Sequence, residues 1–158
     1  MIQGVEIKKL KIIPDERGFL MEILRSDDPL FRKFGQIYMT GVKKGVAKAW
    51  HYHKLQDDFF VCVAGQALVV LYDGRNDSPT YGQVEEYRLA EPTSDGEHIL
   101  LKIPAGVIHG FTAMDSDEAR IINIPTELYN YKTPDEYRYP WDSPDIPYKW
   151  PPEVKIGG

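Results

Sequence analysis

A chain of 158 residues, 42% hydrophobic and 27% charged, suits one globular domain and leaves little room for two. A net charge of −5 without a basic stripe argues against nucleic acid as a partner. The segment from Met1 to Lys9 carries no signal-peptide pattern, no apolar run is long enough to span a membrane, and the lone cysteine, Cys62, can form no internal disulfide. The cytoplasm is therefore the expected location.

The chain reads as short strands divided by turn formers. Val5 to Ile13 is one apolar-rich stretch, and Phe19 to Leu24 is the next. Asp28-Pro29-Leu30-Phe31-Arg32-Lys33-Phe34 has an acidic cap and a first-turn proline, which predict a short helix. Gln36 to Val42 follows, then a turn at Lys43-Lys44-Gly45, then Val46 to Tyr52. Phe59 to Val63 and Ala67 to Tyr72 flank a predicted hairpin turn at Ala64-Gly65-Gln66. Asp73 to Pro79 is dense in turn formers. The later strands are Glu85 to Leu89, Ile99 to Ile103, Gly110 to Ala113 and Arg120 to Ile124. Many short strands at near-regular spacing predict a single-domain, all-β, double-sheet or closed architecture. The runs around Val69 and Leu100 are apolar on both faces, as strands between two layers would be. Cys62, inside one such run, reads as a small core residue. The composition changes after Thr126, so residues 1–126 are expected to form the barrel. Residues 127–158 are an extension rich in tyrosine, tryptophan and proline, expected to pack on the barrel or on a partner subunit.

The four histidines divide unevenly. His51 and His53 stand two apart on a predicted strand and so share a face. Asp57 and Asp58 follow closely, and His109 ends Pro104-Ala105-Gly106-Val107-Ile108-His109. His98 reads as a surface loop residue. The run from Gly45 to His53, then Asp58 and Gly65, resembles the first cupin motif, with Asp where that family usually has Glu. Pro104 to His109 matches the Pro-x-Gly-x-x-His of the second motif, while Ala113 replaces the family's later Asn. The resemblance implies a cupin jelly roll, a double-stranded antiparallel β-helix. It also implies one divalent transition metal held by His51, His53, Asp58 and His109. Neutral imidazoles with a carboxylate suit Mn, Fe, Ni, Cu or Zn. A metal-free pocket, in which a protonated histidine pairs with the carboxylate, is the alternative.

A second set of segments is similar to the dTDP-4-dehydrorhamnose 3,5-epimerases along most of the chain. These are Asp15 to Glu22, Gln36, Asp73-Gly74-Arg75 with Ser78 to Gly82, Ile103 to Phe111, Trp141 to Pro144 and Trp150-Pro151. The resemblance implies proton abstraction beside a 4-keto group, with His51 as base. It assigns substrate contacts to Arg17, Gln36, Lys48 and His109, with Lys48 in place of an arginine that holds the diphosphate. It also implies a homodimer in which Arg17 serves a shared site. Two departures are marked: the family's catalytic lysine falls on Asp58 and its catalytic tyrosine on Asn123. Asp58 is accordingly a catalytic candidate and Asn123 a substrate-binding one. The carboxylate that orients the base falls at Asp142 or Ser143. The expected activity is therefore epimerisation or isomerisation of a nucleotide-linked keto sugar by something other than a standard 3,5-epimerase. The alternatives are a metal-dependent cupin acting on another small oxygenated substrate, and a non-catalytic sugar-binding module.

Overall fold

The computed structural model describes all residues, 1–158. It contains thirteen strands and no helix: β1 (Glu6–Lys9), β2 (Ile12–Asp15), β3 (Gly18–Met21), β4 (Tyr38–Lys43), β5 (Val46–Tyr52), β6 (Asp58–Ala64), β7 (Gln66–Tyr72), β8 (Val84–Ala90), β9 (Ile99–Ile103), β10 (Ile108–Ala113), β11 (Glu118–Asn123), β12 (Tyr137–Arg138) and β13 (Ile156–Gly157). The first sheet has the order β1-β9-β6-β11-β4 and the second β12-β5-β10-β7-β8, with β13 running parallel to β5. β2 and β3 form a separate hairpin. This is the expected jelly roll of a single all-β domain. No helix is long and apolar enough to cross a membrane.

Strand alternation explains the layering. On β7, Val69 and Leu71 face the space between the sheets, while Leu68, Val70 and Tyr72 face outward beneath the C-terminal segment. On β6, Phe60 and Cys62 point inward, and Phe59 and Val61 pack outward against Leu10 and Leu30. Three apolar layers thus need strands that are apolar on both faces, which is why β6, β7 and β9 read as continuous hydrophobic runs. Cys62 is a core residue, and burial pushes its thiol up to about 11. The tail lies on its own barrel: Ile146, Trp150 and Val154 cover the outer face of the second sheet, and the Trp50 indole N–H donates to the Trp141 carbonyl at 3.1 Å.

Two local expectations are corrected. The segment 28–34 is not a helix but a turn ending at Leu30 followed by irregular chain. The Asp28 carboxylate accepts from Lys8 Nζ at 2.6 Å and from the Arg25 amide at 2.7 Å, upstream of the segment it would have capped. Seven residues are in any case too few to hold a helix without such a cap. The stretch Val5 to Ile13 divides into β1 and β2 because Leu10, between them, turns into the outer layer of the core.

Candidate active site

β5 and β10 bring two histidines together. His51 and His109 are register partners, and their rings meet edge to face with centroids 4.5 Å apart. Asp58, the first residue of β6, is buried beside them. Its Oδ2 lies 3.2 Å from the Nε2 of His53 and 3.2 Å from the Nε2 of His109. Its Oδ1 accepts from Gln56 Nε2 at 2.8 Å and from Asn123 Nδ2 at 3.0 Å. His53, just past the end of β5, is anchored through Nδ1 to the Asp135 carbonyl at 2.5 Å, while the Asp135 carboxylate accepts from the Lys54 and Leu55 amides.

The tautomers follow from these partners. His53 Nδ1 faces the Asp135 carbonyl and His109 Nδ1 faces the Val107 carbonyl at 3.0 Å, so both Nδ1 atoms carry the proton. In the neutral ring, each Nε2 would then turn a lone pair toward the Asp58 carboxylate. His109 Nε2 is buried and has no hydrogen-bond partner. Three acceptors at this spacing call for positive charge among them: protons on the imidazoles or a metal ion. Burial opposes charge on His53, yet the hydrogen bond and charge of Asp58 outweigh it and raise the imidazole above its ordinary value. Burial would likewise raise Asp58, but His109 and His53 hold it well below the usual carboxylate range.

His51 behaves differently. Burial first, and then the neighbouring His109, lower it well below the ordinary imidazole value, with His53 and Arg138 adding to the effect against the pull of Asp58. It is therefore a neutral proton acceptor at physiological pH. It lines a cavity of about 200 Å³ with Lys48, Arg138, Glu136, Tyr38 and Thr40, over Phe60 and Phe111. Lys48 Nζ donates to Thr40 Oγ1 at 3.0 Å. Arg138 is the register partner of His51 on the β12 side and donates to Glu136 at 3.0 Å. A second cavity of about 260 Å³ shares Tyr38 and Glu136 with the first and adds Gln36, His53, Gln56, Tyr129 and Tyr131.

Of the expected site residues, the fold gathers His53, Asp58 and His109 into one cluster whose ligand atoms all lie within 4.8 Å of one another. His51 stands beside that cluster, outside the ligand triangle. Asn123 braces it, Lys48 joins His51 in the first cavity, and Gln36 lies in the second, accepting from the Tyr129 amide at 2.7 Å. Arg17 is not brought in: it sits at the β2–β3 turn, 83% exposed and paired with Asp15. Asp142 is exposed, and the Ser143 hydroxyl accepts from the Asp145 amide at 3.2 Å; neither hydrogen-bonds His51. Tyr38, Gln56, Glu136 and Arg138 were not foreseen as site residues. For Tyr38 a signal existed, because it stands two residues after Gln36 at the start of a strand. Arg138 gave none, since only the pairing of β12 with β5 brings it there.

A family profile described as dTDP-4-dehydrorhamnose 3,5-epimerase matches residues 1–157. The spore coat polysaccharide biosynthesis protein SpsL of Bacillus subtilis is 42% identical over 155 residues, covering 98% of this chain and 100% of its own. The probable low-salt glycan biosynthesis epimerase Agl13 of Haloferax volcanii is 38% identical over 160 residues, with 97% of each chain covered. Among solved structures, a dTDP sugar isomerase from Desulfovibrio desulfuricans superposes with a TM-score of 0.86 at 36% identity, covering 94% of this chain and 92% of that one. RmlC from Legionella pneumophila, solved with dTDP-4-keto-L-rhamnose, gives 0.83 at 27% identity, covering 99% and 84%.

Proposed function

The chain belongs to the dTDP-4-dehydrorhamnose 3,5-epimerase family, and from that premise we propose that it inverts a carbon next to the keto group of a nucleotide-linked sugar, with His51 as the base. It is an isomerase-class enzyme related to the dTDP-sugar 3,5-epimerases, and the motif resemblance puts Asp58 and Asn123 where that family carries its catalytic lysine and tyrosine. The carrying observation is that His51, kept uncharged by burial, shares its cavity with two cations, Lys48 and Arg138. A neutral imidazole can take the acidic proton beside a carbonyl, and fixed positive charge offsets the enolate oxygen and the diphosphate. The second cavity, walled by Tyr129 and Tyr131 with Gln36, offers aromatic and amide groups for a nucleoside. We further infer a homodimer, in which the exposed β2–β3 hairpin presents Arg17, Phe19 and Leu20 to a second copy. A cytoplasmic location follows the reading of Cys62 as a reduced thiol.

The test is proton exchange. Wild-type protein in D2O with dTDP- and UDP-linked 4-keto-6-deoxyhexoses should incorporate deuterium next to the keto group, and His51→Asn should slow this by about 100-fold or more. An inert wild-type protein would end the epimerase reading.

A second reading is favoured by the lone-pair arrangement around Asp58. His53, Asp58 and His109 have the donor chemistry of a two-histidine, one-carboxylate metal triad, so the residues fit a divalent ion. An ion held there would act as a Lewis acid toward a substrate carbonyl.

A further inference from the structure

We propose that Tyr38 is the acid that returns a proton to the sugar carbon on the face opposite His51. The proposal rests on the epimerase reading and adds to it the second group that inversion requires. Removing a proton from one face of a carbon and inverting it needs a donor on the other face. His51 belongs to β5 of the second sheet and Tyr38 to β4 of the first, and both line the same cavity. Phe60 of the first sheet and Phe111 of the second form the floor between them, with rings 5.9 Å apart. The two groups therefore stand on opposing walls of a space sized for a small ring.

The hydrogen bonds around Asn123 fix which way the phenol proton points. Asn123 is fully buried, and its Oδ1 accepts from the Phe59 amide at 2.9 Å. Its Nδ2 then carries two protons. One goes to Asp58 Oδ1 at 3.0 Å, which can only accept, and the other to the Tyr38 hydroxyl oxygen at 2.9 Å. Asn123 and Tyr38 are register partners across β11 and β4, so the backbone ladder holds this contact. The Tyr38 oxygen is thus an acceptor toward Asn123, and its own O–H is left for the cavity.

Other donors on that wall serve less well. Thr40 is an aliphatic alcohol, a far weaker acid than a phenol. Glu136, beside β12, is occupied with Arg138. Burial of the hydroxyl and the nearby Asp58 carboxylate push the Tyr38 phenol up to about 12, which keeps it protonated before the reaction.

The step balances. The C–H electron pair becomes part of the enolate as its proton goes to His51. The enolate carbon then forms a new C–H bond with the phenol proton on the other face. The tyrosinate, still accepting from Asn123, regains a proton from solvent, and His51 releases its own.

The experiment compares wild type with Tyr38→Phe in D2O, using dTDP- and UDP-linked 4-keto-6-deoxyhexoses. Deuterium incorporation is read by mass spectrometry and configuration by NMR. The expected result is a split: exchange within about 10-fold of wild type, with retained configuration, while epimer formation falls about 100-fold or more. Tyr38→Leu, folded by circular dichroism, must show the same split. Epimer formation near the wild-type rate in either folded variant overturns the proposal, as does parallel loss of exchange and epimerisation. Absence of exchange in the wild type would instead defeat the parent reading, and this one with it.

Discussion

His51 and His109 meet across β5 and β10 as register partners, and the ladder becomes irregular immediately beyond them, between His109 and Phe111. The residue at that irregularity is Gly110, where a side chain would collide with Ala49 Cβ on β5. The missing side chain lets the two strands close, and this sets how near the imidazoles approach.

Gly110→Ala should therefore act on stability and activity together. Forcing β5 away from β10 should cost about 1–3 kcal/mol. It should also reduce turnover, because His51 moves with its strand. Urea unfolding and the exchange assay give the two readouts. Wild-type values in both would show that β5 can shift without consequence.

Lys48 is expected to serve affinity more than chemistry. A charge-assisted hydrogen bond to a diphosphate is worth about 1.5–3 kcal/mol, so Lys48→Met should weaken dTDP binding by roughly 10- to 100-fold. The loss should shrink at high salt, where the cation is screened. Calorimetry at two ionic strengths checks both points. Unchanged affinity would remove Lys48 from the ligand site.

The homodimer reading predicts that the wild-type mass in light scattering is twice that of the chain. It also predicts that Phe19→Asp with Leu20→Asp, on the exposed hairpin, gives a monomer whose melting remains cooperative. These side chains are 49% and 58% exposed in the single chain, so charge there costs the isolated fold little. A wild-type monomer would leave Arg17 with no site to serve.

Much of this fold was legible because strand periodicity is short and local. Val69 and Leu71 against Leu68 and Val70 announce two buried faces before any pairing is known. His51 and His53 were readable together for the same reason. The 28–34 segment was misread because a cap signal says nothing of Lys8 and Arg25, which claim the Asp28 carboxylate. Register between distant strands is not written in local pattern either. Hence Arg138 opposite His51, and Tyr38 opposite Asn123, became visible only once β12 and β4 had found their partners.

If a divalent ion occupies the triad, protein purified without chelator should contain close to one equivalent by elemental analysis. Added Mn, Fe, Co, Ni, Cu or Zn should raise the melting temperature of metal-stripped protein at neutral pH, as binding to the native state must. His53→Ala, which removes one donor of the triad, should abolish that rise. Metal-free protein whose melting temperature ignores all six ions would leave protons as the charge that holds Asp58 among its histidines.

Asp73 supplies the clearest pH dependence of stability, away from the active site. It is fully buried and accepts from Arg75 Nε at 2.8 Å, Arg75 Nη2 at 2.9 Å, Ser78 Oγ at 2.6 Å and Thr80 Oγ1 at 2.6 Å. Burial alone would raise the carboxyl, but these donors hold it far below its ordinary value. A carboxylate depressed by folding contributes stability above its unfolded pKa, near 3.9, and loses it as pH falls below that toward the folded value. Asp73→Asn keeps the shape but leaves the Arg75 guanidinium without its counter-charge, so the variant should lose about 3 kcal/mol at pH 7. The gap should persist to about pH 5 and narrow at pH 3, where unfolding the wild type is increasingly favoured by proton uptake at this carboxylate. Urea unfolding of both proteins at pH 7, 5 and 3 measures it. A gap that stays constant across that range would mean that the turn is held by its shape and neutral hydrogen bonds rather than by the charge on Asp73.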